Sequence, residues 1–183
     1  GSGPNHCEMF PSEKTADEIR EKFIDALSTP YHGTKWGEFQ YDGIEPKLLV
    51  EERIGSQSKP PEDYKFHMWD AGRDNKWFLQ VNMDRGSALK LNIYDENFLL
   101  MDVQKKDLPN AEFVLPEQDH LDSMFQIARK LADGHPYVRV DLYLVDDKVY
   151  FGELTFTPDC GFGEFSDMSV AERFGSYFDE VGI

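Results

Sequence analysis

The 183-residue sequence contains no long apolar run, and no leader with a basic start and an apolar core opens it. A helix needs about 20 apolar residues to cross a bilayer, so we predict neither membrane insertion nor secretion. The only two cysteines, Cys7 and Cys160, lie far apart, and the five histidines show no HExxH spacing. These absences argue against a disulfide framework and a dedicated zinc site, and they favour a cytoplasmic protein with reduced thiols.

Basic residues are also scarce, since 19 Lys and Arg stand against 35 Asp and Glu, for a formal net charge of −16. A surface of this sign repels nucleic-acid phosphates and anionic lipid headgroups, so we expect neither as a partner. A phosphorylated small ligand is still compatible with this charge. It would need a locally basic pocket and a divalent cation to screen its phosphates.

Apolar residues, in contrast, are spread along the whole chain, which is 40% hydrophobic and 14% aromatic. This is enough for one core, and there is no internal repeat or low-complexity linker. We therefore predict a single domain over residues 1–183. Residues 1–46 are expected to form a Gly-containing loop, a helix and an irregular segment, and residues 47–183 the main core.

Local patterns predict an α+β fold, in which hairpins of a largely antiparallel sheet pack with about three helices. Thr15 and Glu18 form a capping-box pattern that starts the first helix. The second helix follows Asp119 and ends before Gly134, and the third covers about 170–181. Strands are predicted at 47–54, 64–69, 76–83, 88–94, 137–145 and 148–156, with a further candidate at 98–103.

The last predicted hairpin carries the residues with the clearest chemistry. Side chains alternate along a strand, so Arg139 and Asp141 share one face, and Glu153 and Thr155 share a face on the returning strand. Pairing through the Asp146-Asp147 turn brings Asp141 opposite Glu153. Two carboxylates beside an arginine suit Mg2+ and phosphate. Acids on an exposed strand are more often simply solvated, so the pattern alone leaves both interpretations open.

The same residues resemble a known family. RVD at 139–141 and GELTF at 152–156, followed by Pro158, resemble the metal-binding hairpin of ATP-grasp enzymes. KLLVEERI at 47–54, DYKFHMWDAGR at 63–73 and GFGEF at 161–165 extend the likeness to the TupA-like ATP-grasp group, over about residues 1–165. The resemblance implies an ATP-grasp-like fold with a nucleotide- and Mg-binding core at 47–183. It also implies that the chain is the C-terminal catalytic part, because the family's preceding strand with a phosphate-binding lysine is not in the sequence.

For ATP, the resemblance implies a set of binding residues. Glu51 would accept the adenine amino group, and the backbone near Ile54 would meet the adenine edge. Asp63 would bind ribose hydroxyls and Lys65 a phosphate. Gly1, Ser2 and Gly3 resemble the glycine-rich loop that covers the phosphates, although the same letters are also a common cloning remnant.

For catalysis, the resemblance implies that Asp141 and Glu153 hold Mg2+, with Thr155 in place of the usual Asn. Arg139 would stabilise the charge that develops during phosphoryl transfer. Arg85 is a candidate for contact with phosphate or substrate, or alternatively an ordinary turn arginine.

The activity implied is an ATP-dependent carboxylate–amine or carboxylate–alcohol ligase that acts through an acyl-phosphate. The TupA-like group is associated with bacterial cell-surface polymer synthesis, so the implied substrates are an amino acid and a glycan or peptide precursor. Three alternatives stay open: a nucleotide-binding module without turnover, a sugar kinase or transferase that uses the same Mg-ATP site, and a plain interaction domain. The sequence does not predict the oligomeric state.

Overall fold

The protein is described from a computed structural model, in which the chain divides into two compact units, Gly1–Glu52 and Arg53–Ile183. Cys7 and Cys160 are free thiols. None of the helices in the described part combines the length and the apolar character that a membrane span requires. The structure describes residues 7–29, 32–56, 60–85, 88–105 and 108–182.

The first unit contains helix α1, Ala16–Ser28, which begins as the sequence predicts. The Thr15 side chain accepts the Glu18 N–H, and the Glu18 carboxylate accepts the Thr15 N–H at 2.8 Å, so the capping box is complete. Two short 3-10 turns follow, at Gly33–Trp36 and Phe39–Tyr41. The Asp42 carboxylate accepts the backbone N–H of Gly33 at 2.7 Å and thereby ties the first turn to the end of the second.

The strand predicted for residues 47–54 is wrong, because these residues have no regular secondary structure. Leu49 and Val50 are 80% and 91% exposed. Apolar residues in a short run favour a strand only where a neighbouring strand pairs with it and one face is buried. None of the described strands pairs with this segment.

The second unit is built on one five-stranded sheet with the order β3-β2-β1-β4-β5, in which every neighbouring pair is antiparallel. The candidate strand at 98–103 is not formed, because Leu100 makes only an isolated bridge to Tyr94. The other predicted strands are present. Their bounds are Asp63–Trp69 for β1, Trp77–Met83 for β2, Lys90–Tyr94 for β3, Tyr137–Val145 for β4 and Lys148–Thr155 for β5.

Strands β4 and β5 are joined by a two-residue turn, and this turn fixes their register. Asp146 and Asp147 both have positive φ, 49° and 59°, which is typical of the type I′ turn that suits the twist of a hairpin. The register changes between Asp141 and Leu142, because Glu153 faces Asp141 whereas Phe151 faces Leu142. Gly152 is therefore the extra residue of a β-bulge.

One face of the sheet is apolar along its whole length and is covered by helix α2, Gln118–Ala132. The helix buries Leu121, Met124, Ala128 and Ala132, which recur at helical spacing, against side chains such as Phe66. Full burial of one such large side chain is worth about 1.5–3 kcal/mol, so this interface holds the unit together.

The other face carries an aromatic cluster at one end. There, helix α3, Met168–Val181, places Phe174 in stacked contact with Phe78, with ring centroids 4.1 Å apart. Trp69 and Tyr137 complete this aromatic cluster. At its other end the face is polar on β1, β2 and β4, whereas β3 contributes Leu91 and Ile93 to it. With one antiparallel sheet and three α-helices in the described part, the predicted α+β fold is confirmed.

Candidate functional site

The polar end of the sheet face holds an unusual number of buried charged and amide groups. They come from neighbouring strands and alternate with core residues along each strand, so they project on the same side. Each has at most 9% of its surface exposed: Asp63, Lys65 and His67 on β1, Gln80 and Asn82 on β2, and Arg139 and Asp141 on β4.

The strand register aligns the charges across the sheet. Lys65 on β1 lies opposite Asp141 on β4, and Asp141 in turn lies opposite Glu153 on β5. One step along the same strands, Arg139 lies opposite Thr155. The structure therefore brings together, on one face, the four hairpin residues singled out in the sequence.

Arg139 ties these residues into one hydrogen-bond network. Its Nε donates to Asp141 Oδ1 at 2.7 Å, and its terminal Nη2 donates to Asp141 Oδ2 at 2.8 Å. The same Nη2 donates to Glu153 Oε1 at 3.2 Å and to Thr155 Oγ1 at 2.9 Å. Burial alone would lower the pKa of Arg139, but its hydrogen bonds and charge pairing with Asp141 raise the pKa above the usual value.

Lys65 extends the network onto β1. Its ammonium group pairs with Asp141 and lies 2.9 Å from Asp63 Oδ2. Arg85, which is more than half exposed, donates to that same Asp63 oxygen at 2.7 Å. The other oxygen of this carboxylate, Oδ1, is buried and has no hydrogen-bond partner among the described residues. Three cations thus alternate with three carboxylates from Arg85 to Glu153.

His67 lies at the inner end of the polar region, where this region meets the aromatic cluster. Its Nδ1 is 2.9 Å from the Tyr137 hydroxyl, and its ring stacks on Phe78 with centroids 4.2 Å apart. Burial lowers its pKa well below the usual value, and the charges of Arg139, Lys105 and Lys65 add to the effect. The imidazole is therefore neutral at neutral pH.

A cavity of about 490 Å³ opens above the polar region. Its floor includes Lys65, Arg139 and Glu153, and the segment 157–165 contributes part of its wall. The Lys105 ammonium pairs with Asp159 at the rim. The lining residues are Lys65, Gln80, Asn82, Arg85, Leu89, Leu91, Lys105, Leu108, Arg139, Glu153, Asp159, Phe162, Gly163 and Glu164.

The donor set fits Mg2+ only in combination with a phosphorylated ligand. Across the described ranges, no three His, Cys, Asp or Glu side chains converge as a ready metal site. Mg2+, however, is usually held by one or two carboxylates together with water and substrate phosphates. Asp141 and Glu153 supply such a pair, provided that Asp141 exchanges its bonds to Lys65 and Arg139 for the metal.

The remaining predicted site residues belong to other segments of the chain. Glu51 is exposed in the irregular end of the first unit, and Ile54 is half-buried in coil at the start of the second. Gly1, Ser2 and Gly3 fall outside the described residues.

Sequence reasoning missed several residues of this site, among them Gln80, Asn82 and Lys105. Gln80 and Asn82 alternate with the core residues Leu79 and Val81 along a predicted strand. That alternation already placed two amides on the face opposite the core. No local sequence pattern indicates a site role for Lys105, because this residue lies in a loop that reaches the cavity.

The fold and the charged cavity agree with a comparison against protein families. The chain matches the model described as TupA-like ATPgrasp over residues 7–179 of 183. Such a match defines an ATP-dependent, ligase-type module of the ATP-grasp superfamily, whose members generally use ATP and Mg2+. The chain belongs to the TupA-like ATP-grasp family. No curated protein and no solved structure matches it significantly.

Proposed function

We propose that the chain is the catalytic part of a ligase that uses Mg-ATP to join a carboxylate to an amine or an alcohol through an acyl-phosphate. The observation that carries this proposal is the cross-strand pair Asp141–Glu153, which lies beside Lys65 and Arg139 on the floor of one cavity. Family membership supports the reaction class.

In this proposal Asp141 and Glu153 hold Mg2+, with the Thr155 hydroxyl as a further oxygen near them. Bound Mg2+ would supply charge neutralisation on the β- and γ-phosphates. Glu153 is suited to ligand exchange because its side chain is 58% exposed and makes one 3.2 Å bond to Arg139. Asp141 is the buried anchor, with about 2% of its side chain exposed.

The cations act by changing partners. Lys65 and Arg139 pair with Asp141 when no nucleotide is bound, and they would turn towards phosphate oxygens if Asp141 and Glu153 held Mg2+. Arg139 then stabilises the charge that develops as the γ-phosphoryl group moves to the substrate carboxylate. Arg85 is more than half exposed at the mouth of the cavity, and it orients phosphate or substrate.

The nucleotide base and sugar are assigned by resemblance. Glu51 and the backbone near Ile54 would meet adenine, and Gly1, Ser2 and Gly3 would cover the phosphates. Asp63 would bind ribose hydroxyls.

We further propose that both units serve one catalytic domain, in a cytoplasmic enzyme of bacterial cell-surface polymer synthesis. The substrates would be an amino acid and a glycan or peptide precursor. Family resemblance alone supports this part of the proposal, since a fold does not fix a substrate.

Nucleotide binding is tested by thermal unfolding with and without Mg-ATP, in wild type, Asp141→Asn and the matched control Asp147→Asn. Asp147 lies in the hairpin turn and is 88% exposed. A ligand at 100 times its Kd adds about 2.7 kcal/mol of stability, enough to raise the midpoint by several degrees. We expect this rise in wild type and in the control, and its loss in Asp141→Asn. No rise in wild type, or an equal rise in Asp141→Asn, would contradict the proposal.

The acyl-phosphate is tested by trapping. Hydroxylamine converts an acyl-phosphate to a hydroxamate and releases phosphate, whereas it does not react with a phosphorylated sugar. We expect ATP-dependent hydroxamate from the correct acid in wild type and none in Asp141→Asn. Formation of ADP with a phosphorylated sugar instead would support the sugar-kinase alternative.

A further inference from the structure

The cavity has a second region that the nucleotide assignment does not use. On β2, Gln80 Nε2 donates to Asn82 Oδ1 at 2.8 Å, and both side chains are at least nine-tenths buried. Three leucines, Leu89, Leu91 and Leu108, line the cavity beside them. Two neutral amides next to a leucine wall form a patch distinct from the ion pairs on β1, β4 and β5.

The groups behind the amide pair are uncharged as well. Gln80 approaches the His67 imidazole closely enough to influence its pKa, and His67 bonds to the Tyr137 hydroxyl at 2.9 Å. Every member of this row is uncharged at neutral pH. Because Asn82 Oδ1 accepts from Gln80, the amino group is the part of the Asn82 side chain that can donate to a ligand.

The charges of the cavity decide what kind of ligand this patch takes. Its wall carries four cations, Lys65, Arg85, Lys105 and Arg139. Five carboxylates balance these positive charges. Three line the wall, Glu153, Asp159 and Glu164, and two pair with Lys65 beneath it, Asp63 and Asp141. The cations therefore leave no surplus for an anionic group on the body of the second substrate, apart from its reacting carboxylate near Asp141 and Glu153. The body of the second substrate should be neutral where it lies against β2.

We propose that Gln80, Asn82 and the three leucines form a subsite for the body of the carboxylate substrate, and that this body carries an amide group and an aliphatic chain. An amide both donates and accepts, as the Asn82 and Gln80 side chains do, so it is the natural complement of the pair. Strand β2 lies two strand spacings, about 10 Å, from β4, a span that a small acylated amino acid or dipeptide covers. The proposal rests on the proposed function, because it takes the reacting carboxylate to lie near Asp141 and Glu153.

Three acids test the subsite by ligand-observed NMR, each titrated with and without Mg2+ and a non-hydrolysable ATP analogue. N-acetyl-L-leucine has the amide and the aliphatic chain. 4-Methylpentanoate keeps the chain but lacks the amide, and N-acetyl-L-aspartate keeps the amide but has a charged body. We expect N-acetyl-L-leucine to bind more tightly than either of the others, by about threefold to tenfold for the hydrogen bonds of the amide.

Two variants assign the effect to the subsite. Asn82→Ala should bring N-acetyl-L-leucine down to the affinity of 4-methylpentanoate, whereas Leu108→Ala should weaken both acids equally. Asn97→Ala, in an exposed turn outside the cavity, is the matched control and should behave as wild type. The midpoint of thermal unfolding shows that each variant is folded.

Several outcomes would overturn the subsite. They are equal binding of the three acids to wild type, no binding of any, or unchanged N-acetyl-L-leucine affinity in folded Asn82→Ala. The wild-type comparison stands even if a variant does not fold. Absence of nucleotide binding would instead count against the proposed function, and the titrations without nucleotide still test the subsite.

Discussion

The buried ammonium group of Lys65 gives the sharpest test of how the charged network is held together. Lys65 Nζ pairs with both Asp63 and Asp141, and each of the three side chains is no more than 4% exposed. Replacing Lys65 with Met keeps the aliphatic stem but leaves two carboxylates buried with one fewer cation. Each still has an arginine partner, Arg85 for Asp63 and Arg139 for Asp141.

The magnitude follows from the geometry. At the 2.9 Å separation of Lys65 and Asp63, two unit charges attract by about 6 kcal/mol at an effective dielectric constant of 20. The cost of removing both charges from water offsets part of this attraction, and breaking a buried pair typically costs 3–5 kcal/mol. Because the arginines stay in place, we expect Lys65→Met to lower the free energy of unfolding by about 3 kcal/mol at pH 7.

Urea unfolding followed by tryptophan fluorescence measures this loss, since Trp69 and Trp77 are buried at the ends of β1 and β2. Lys90→Met is the matched control. Its 3.6 Å pair with Asp84 is about 40% exposed, and such surface pairs are worth about 0–1 kcal/mol. The free energy of unfolding of the double variant Lys65→Met/Asp141→Asn should fall by about 2 kcal/mol less than the sum of the two single variants, because the double variant removes both opposite charges of the pair. A loss below about 1 kcal/mol for Lys65→Met, or strict additivity, would refute the reasoning.

Three further changes test other parts of the site. The pKa of His67 is lowered in the folded chain, so below about pH 6.5 the unfolded chain binds a proton that the folded chain does not. The free energy of unfolding therefore decreases as the pH is lowered. His67→Gln should remove up to about 1.4 kcal/mol per pH unit of that fall in urea unfolding between pH 6.5 and 5, and parallel curves for variant and wild type would contradict this. A Cβ on Gly152 would lie 2.9 Å from the Tyr143 ring and 3.0 Å from the Asp141 carbonyl oxygen. Gly152→Ala should therefore lower the free energy of unfolding by about 1–3 kcal/mol and reduce the stabilisation by Mg-ATP. An unchanged midpoint of thermal unfolding would show that the bulge adapts. Asp147→Gly should stabilise the chain by about 0.5–1 kcal/mol, because glycine adopts positive φ without strain, and a lower midpoint would argue against the type I′ turn.

The sequence predicted those parts of the fold that depend on neighbours along the chain. The hairpin of β4 and β5 follows from alternating residues on either side of a two-residue turn, and this local pattern was sufficient to place Asp141 opposite Glu153. Helix α2 was predicted from its apolar stripe, although it begins at Gln118, with Glu117 rather than Asp119 as the N-cap residue.

Features that depend on distant partners could not be predicted in this way. The apolar run at 47–54 has the composition of a strand, but only a paired neighbour would make it one. The bulge at Gly152 depends on the count of residues opposite β4, which no local pattern in β5 reveals. Lys105 joins the cavity wall through its pairing with Asp159, 54 residues further along the chain.

The charge balance of the cavity resolves an apparent conflict between the composition and the proposed ligand. A chain with a net charge of −16 should repel a nucleotide, yet four of its cations line one cavity. Each of the four pairs with a carboxylate of the same chain, so the cavity tolerates burial of these groups without a bound anion. Phosphates alone would have to compete with those carboxylates for the cations, and Mg2+ alone would have to displace Lys65 and Arg139 from Asp141. Under the proposed function the two together would exchange partners, since the metal would pair with the carboxylates and the phosphates with the cations. Mg2+ and nucleotide should therefore bind cooperatively, and calorimetric titration of each in the absence and presence of the other would show independent binding if this exchange does not occur.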